Sequence, residues 1–396
     1  MNIYYNYSTD PSIPSSCSKS IVQIENYDSV VSLEYHKDET IINDKNILIL
    51  RRLDPLPKSL KRLDISNYGL IEELSDLPDS LEYINVSNNK IKQIPNLPYF
   101  LASLNCSSNH LIELPTLPNS LRSLWCYSNQ LRQLPNLPHN LEQLSCAYNN
   151  LTNLVNLPLT LTYLDCSNCN LISLDVSYLT NLIELKCNEN KLSKLSLPNS
   201  LTKLYCDSNY LTELPKLPDT LTVLYCNSNH LTELSSLPNS LIRMSCSSNK
   251  IIELVSLPES LKFLDCSSNQ LSKLPRLPNL LFVLNCSTNS VRLCPDIKHL
   301  VNLHKIICSN NLIIDIPILP KQLLNNSTKS NIEKTLCKCE SLDGKHSCIV
   351  EKQVNFDNNP FINIYKNHPN VNGQYFNHTS KNKFSQFIQK IGNLFK

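Results

Sequence analysis

Leu221-Thr222-Val223-Leu224-Tyr225-Cys226-Asn227-Ser228-Asn229-His230-Leu231 begins with side chains that alternate between two faces. Leu224 and Cys226 fall on one face and Val223 and Tyr225 on the other, the pattern of a short strand whose two sides differ. So brief a strand cannot bury enough apolar surface by itself. It needs neighbours of the same kind on both edges.

Those neighbours are present in the sequence. A unit spelling Leu-x-x-Leu-x-Cys-Ser-x-Asn-x-Leu-x-x-Leu-Pro-x-Leu-Pro-x-Ser starts at Leu60, Leu81, Leu101, Leu121, Leu141, Leu161, Leu182, Leu201, Leu221, Leu241, Leu261, Leu281 and Leu303. Most intervals are 20 residues, so each copy is one turn of a coil. Stacked at the sheet spacing of about 4.8 Å, the turns build a parallel sheet over a shared leucine interior.

The column Asn89, Asn109, Asn129, Asn149, Asn190, Asn209, Asn229, Asn249, Asn269, Asn289 and Asn311 follows the strands. An amide both donates and accepts, so at that bend it can satisfy main-chain groups left unpaired. Cys169 takes the position in one turn and Tyr68 in the first. Return segments such as Leu114-Pro115-Thr116-Leu117-Pro118 hold two prolines three apart, which fixes an extended, polyproline-like path and excludes a helix. The prolines are missing at 171–182 and near 296–303, where a helical or irregular back segment is expected. The fold expected is mainly β: a curved solenoid with its parallel sheet on the concave face, extended convex returns and short terminal caps.

These residues resemble the leucine-rich-repeat superfamily. The Leu-Pro-x-Leu-Pro return is most similar to the short-repeat class of enterobacterial effectors and giant-virus repeat proteins, over roughly two-thirds of the chain. The abundance of Asn, Ile, Lys and Tyr fits an AT-rich genome such as a giant virus or a protist. Some effectors of that class carry a ubiquitin-ligase domain with a Cys-x-Asp nucleophile, and Cys294-Pro295-Asp296 matches that motif. It sits inside a repeat return, however, and too few residues follow Leu323 to build such a domain.

Composition narrows the chemistry further. Lys and Arg number 36 against 34 Asp and Glu, a formal charge of +2, which offers no general field for nucleic acid or anionic membrane. Only four glycines occur, so no Gly-rich loop is available to cradle a phosphate. The nine histidines form no metal-type pair within a repeat and have no oriented partner for base catalysis. No cofactor, metal site or catalytic residue is expected. No run of about 18 apolar residues and no signal-like start is present, which leads to the expectation of a cytoplasmic protein, in host cytoplasm if the source is viral. Sequons such as Asn105-Cys106-Ser107 are products of the repeat consensus.

Seventeen cysteines are an odd total for a disulfide framework. Most recur once per repeat, at Cys106, Cys126, Cys146, Cys166, Cys187, Cys206, Cys226, Cys246, Cys266, Cys286 and Cys308, where the first two copies hold Ile65 and Val86. Reduced, small apolar core residues fit that exchange better than a thiol ladder for metal.

Binding, on this reading, uses the concave strand face, where side chains stand on rigid backbone outside the core. The aromatics assigned there are Tyr83, Trp125, Tyr127, Tyr148, Tyr163, Tyr205, Tyr225 and Phe263. Tyr and Trp anchor interfaces because they bury large area while keeping a polar tip. A strand surface also tolerates aromatics without any partner. Arg122, Arg243, Lys186, Glu142, Glu184, Asp165 and Asp265 are the charged neighbours that could set partner choice.

The chain thus divides into residues 1–47, a cap over the open end of the core; residues 48–323, a solenoid of about 13 repeats; and residues 324–396, an extension. Cys337, Cys339, His346 and Cys348 are four potential zinc ligands in that extension, spaced more tightly than paired zinc knuckles. Phe384, Phe387, Ile388, Ile391, Leu394 and Phe395 repeat at helical spacing beside Lys381, Lys383, Lys390 and Lys396, a basic amphipathic helix suited to capping, partner docking or weak membrane contact. The function expected is a non-catalytic scaffold holding a protein partner of unknown identity. The alternatives are an adaptor or ligase component of the ubiquitin system and a self-associating structural component.

Overall fold

The computed structural model describes residues 3–7, 17–19, 30–35, 56–67, 69, 71–293, 297–314 and 353–355. Tyr68, the Cys294-Pro295-Asp296 motif, the four potential zinc ligands and the C-terminal amphipathic segment lie outside the described residues. Two compact units are present, Met1–Tyr210 and Leu211–Lys396.

In the first unit, β1 (Ile3–Tyr7) pairs antiparallel with β2 (Cys17–Lys19) and with β3 (Val30–Tyr35). Strand β3 then pairs in parallel with β4 (Arg62–Asp64), so the first edge of the repeat ladder does not stand bare. The ladder continues through β5 (Tyr83–Asn85), β6 (Ser103–Asn105), β7 (Ser123–Trp125), β8 (Gln143–Ser145) and β9 (Tyr163–Asp165). From β9 it passes over β10 (Ser173–Asp175) to β11 (Glu184–Lys186), and over β12 (Lys194–Ser196) to β13 (Lys203–Tyr205).

The second unit repeats the arrangement with β14 (Val223–Tyr225), β15 (Arg243–Ser245), β16 (Phe263–Asp265), β17 (Val283–Asn285), β18 (Lys305–Ile307) and β19 (Gln353–Asn355). All its neighbouring strands are parallel. Among the described residues no helix is long and apolar enough to cross a membrane.

Register explains the core. Within each unit the middle residue of a repeat strand pairs with the middle residue of the next, as in Leu104↔Leu124, Leu124↔Leu144 and Leu144↔Leu164, and these leucines are buried. The column cysteines named above are buried as well, as are Ile65 and Val86 in the same column. In each unit an apolar interior is therefore built from one leucine of the strand, the following thiol and the leucines that flank them. Each strand ends after three residues because the chain then turns inward. Residues in the left-handed region follow at every repeat, from Asn67 (φ 64°) through Ser108 (φ 54°) to Asn310 (φ 55°).

The asparagine column occupies that turn. The Asn109 Nδ2 donates to the carbonyls of Val86, Cys106 and Ser107 at 3.0, 3.1 and 3.2 Å, and its Oδ1 accepts from the Ile91 N–H at 3.0 Å. Asn149 and Asn249 repeat the same contacts two and several turns on. Each unsatisfied buried group would cost about 1–3 kcal/mol, so one side chain offsets several such losses. At Cys169 the thiol donates to the Cys146 carbonyl at 3.2 Å, and Asn190 Oδ1 accepts from both Cys169 N and Leu171 N.

A second hydroxyl ladder runs at the end of the returns. Ser80, Ser120, Thr160 and Ser260 each place one hydroxyl proton between two carbonyls of the preceding turn, Ser120 between those of Tyr99 and Leu101 at 2.7 and 2.8 Å. The second proline of the return supplies the carbonyl of the adjoining tight turn, Leu221 N–H to Pro218 O at 3.1 Å.

The returns without prolines are irregular, as one of the two expected alternatives had it, but the first also contains a strand. Residues 173–175 form β10, which pairs in parallel with β12 as a two-stranded sheet of its own. With no proline in the pair, each strand keeps the N–H groups a ladder requires. A helix is absent there; after β10 the chain makes two successive tight turns, Leu179 N–H to Val176 O and Leu182 N–H to Leu179 O, each 3.0 Å. Two equivalent turns occur at Leu300 and Leu303.

Candidate protein-binding face

On each strand the first and third residues point away from the core, so the open face carries two columns of side chains. The first column holds Tyr83, Tyr163 and Phe263, and the third holds Trp125, Tyr205 and Tyr225. All six are half-buried. Tyr127 and Tyr148 stand beyond the strand ends. Tyr148 occupies the left-handed position (φ 53°), where nearly every other turn has Ser or Asn, and it is 50% exposed. A bulky residue is disfavoured in that region.

The rings form local groups. Trp125 and Tyr163 lie with centroids 5.6 Å apart at 36°, although β8 stands between their strands. The intervening Ser145 is small and only 2% exposed, which lets the two rings meet over it. The Lys186 ammonium is 5.4 Å from the Tyr163 ring centre and 5.7 Å from that of Tyr205. It is held by Glu184 at 3.3 Å, and the same carboxylate takes Lys203 at 3.0 Å. Burial raises the Tyr163 phenol above its ordinary value, with Asp165 and Glu184 adding to the effect. Burial also raises Asp165, outweighing its hydrogen bonds from Ser167 and the field of Lys186. Tyr148 moves up for the same first reason, then through Glu189 and Asp165.

Elsewhere in the first unit, Arg62 stacks on Tyr83 at 3.8 Å, and Arg122 pairs with Glu142. In the second unit, Arg243 lies 4.2 Å over Phe263, Phe263 is 5.8 Å from Phe282, and Phe282 stacks on His304 at 4.2 Å. Phe282 and His304 escaped the sequence reading because they sit just ahead of their strands. Their place, the second residue of the repeat, was the available signal. Tyr225 stands on β14, and Asp265 accepts from the Ser267 N–H and hydroxyl and from Asn285.

The rest of the described surface offers little for catalysis. Two shallow cavities of about 790 and 580 Å³ are lined by residues such as Glu72, Lys92, His110 and Pro115 on the return side, away from the aromatic groups. Among the described residues no three His, Cys, Asp or Glu side chains come together to hold a metal. The thiols of Cys106 and Cys246 are pushed up to about 12 by burial, and burial likewise holds those of Cys126, Cys166, Cys187 and Cys266 well above the ordinary range. A neutral buried thiol is a poor nucleophile and a poor ligand.

No family model matches the chain, and no curated protein matches it. Solved structures do. The leucine-rich effector protein YopM from Yersinia pestis is 38% identical, with 69% of this chain and 78% of that one covered and a TM-score of 0.64. A leucine-rich-repeat protein of Leptospira interrogans is 25% identical over 66% of this chain and 75% of its own, with a TM-score of 0.53. The functional domain of InlJ from Listeria monocytogenes, described as including a cysteine ladder, is 26% identical over 68% and 65% of the two chains, also at 0.53. With its stacked parallel strands, buried leucine and cysteine columns and this likeness to YopM, the chain belongs to the leucine-rich-repeat family.

Proposed function

We propose that the protein is a non-catalytic interaction scaffold whose open strand face holds a protein partner. The observation that carries this reading is the Trp125–Tyr163 group, an aromatic platform fixed on a rigid strand ladder and left half-exposed outside the core. Aromatic anchors on such backbone lose little conformational freedom on binding, and they dominate the energetics of protein interfaces. Tyr148, in a disfavoured backbone conformation and within the field of Asp165, adds support, since strain of that kind gathers at functional positions. The buried, protonated thiols of the cysteine column are poor nucleophiles, which favours binding over thiol chemistry.

A double replacement, Trp125→Ala with Tyr163→Ala, tests the reading. The far-ultraviolet circular dichroism should stay that of the wild type, because neither residue belongs to the core. Proteins captured specifically by the wild-type chain from the native host should drop by at least about tenfold, the loss typical of truncating two interface anchors. Undiminished capture by the folded variant would move the binding surface elsewhere.

A further inference from the structure

Asp64, Asp165 and Asp265 each occupy the third position of a strand, as Asp175 does on β10, and their environments differ. Asp64 and Asp265 each use one carboxylate oxygen to accept from the serine two residues on, and the other to accept from the asparagine of the next strand, Asn85 at 3.1 Å and Asn285 at 3.0 Å. Asp165 keeps the first half of this arrangement, with Ser167 N–H and hydroxyl on Oδ1 at 3.1 and 2.8 Å. The next strand places Lys186 where an asparagine would stand. Lys186 turns to Glu184 instead. Among the described residues, Asp165 Oδ2 therefore receives no hydrogen bond and has no cation within 4.0 Å.

This oxygen adjoins the aromatic platform. Tyr163 is two residues away on the same strand, and Trp125 reaches Tyr163 from the β7 side. Lys186 lies on the opposite side, on β11, already engaged by Glu184. Glu189, the Tyr148 and Tyr205 phenols and the buried Cys166 and Cys187 thiols are further titratable groups whose fields couple with this neighbourhood. A group that completes the arrangement must carry a planar face for the rings and N–H donors along its edge for the carboxylate.

We propose that the Trp125–Tyr163–Asp165 cluster receives an arginine side chain presented by the partner protein. A guanidinium stacks flat on aromatic rings and gives in-plane hydrogen bonds to a carboxylate, which an ammonium cannot do together. The inference rests on the strand face being the binding surface and goes beyond it by naming what the partner must present. Because Asp165 is half-buried and its Oδ2 lacks a protein donor, the charge-assisted bond forms without first breaking one within the chain.

Selection of a random cyclic-peptide display library on the full chain tests this, followed by binding measurements on synthesised peptides. Peptides that need Trp125 should be enriched in arginine. Replacing that arginine by citrulline, its neutral isostere, should weaken binding at least tenfold, and lysine should recover only part of the loss. Asp165→Asn should give a similar tenfold loss for the arginine peptide and none for the citrulline peptide. The variant should fold, since Asn85 and Asn285 already accept the same serine contacts at equivalent positions. Peptides that need Trp125 but are indifferent to citrulline and to Asp165→Asn would overturn the arginine inference while leaving the strand-face reading intact. Peptides that bind with no dependence on Trp125 would overturn both.

Discussion

Replacing Leu224 by aspartate is expected to remove about 4 kcal/mol or more of stability from the second unit and to melt several turns together. Leu224 is fully buried in the middle of β14 and stands in register with Met244. The substitution deletes an apolar side chain from a packed interior, which by itself costs about 2–5 kcal/mol. It also places a carboxyl group where no donor is available, so the group must either ionise unpaired or take up a proton. Each turn is stabilised chiefly by its neighbours, and the damage spreads along the stack. Denaturant unfolding followed by circular dichroism should show a lower midpoint and a smaller slope, the latter because less surface remains to be exposed. Thr232→Asp, at an exposed position three residues past the turn's Asn229, should stay within about 0.5 kcal/mol of wild type. Equal effects of the two substitutions would mean that Leu224 is not in a core.

The second large effect is expected in alkali. The thiols of Cys106 and Cys246 have an ordinary value of 9.0 and are pushed up to about 12 by burial. Above pH 9 the unfolded chain releases these protons while the folded chain retains them, so the unfolded state binds fewer protons and stability falls as pH rises. Their contribution is complete below about pH 9 and disappears progressively toward pH 12. Each such thiol adds a slope of about 1.4 kcal/mol per pH unit in that window. Tyr163, also raised, acts in the same direction at higher pH. Urea unfolding at a series of pH values should therefore give midpoints that drop steeply from pH 9 upward, and Cys106→Ala with Cys246→Ala should make the drop shallower. A pH-independent midpoint up to 11 would mean that the thiols are solvated.

Much of the fold was legible because a twenty-residue period repeats the same physical problem many times. Leu224 and Cys226 alternate with Val223 and Tyr225, and that alternation suffices to divide core from surface. The asparagine amides could be placed from chemistry, since a bend that buries main-chain groups needs a side chain that donates and accepts. The hydroxyl ladder of Ser80, Ser120 and Thr160 was written in the same consensus, yet a serine near a proline turn reads equally well as a solvated loop residue. The β10–β12 pair was missed because its residues carry no strand-length pattern. It forms where neither paired segment, Ser173–Asp175 or Lys194–Ser196, contains a proline.

The candidate site was less legible. Trp125 and Tyr163 were both marked as exposed aromatics, but their contact depends on the small Ser145 between them, and no spacing rule signals that. Tyr148 was placed on the strand face by its aromatic character, whereas its backbone puts it in the left-handed turn. The open oxygen of Asp165 depends on which residue the next strand carries and on Lys186 pairing with Glu184, a choice between two carboxylates that geometry alone decides.

The most direct measurement is native-state alkylation of the full chain with a maleimide, read residue by residue by mass spectrometry. Twelve cysteines, from Cys106 to Cys308 and including Cys169, are buried, and these should stay unmodified until denaturant opens the stack. Rapid labelling of Cys126, Cys226 or their column neighbours in the folded protein would contradict a shared leucine and cysteine interior.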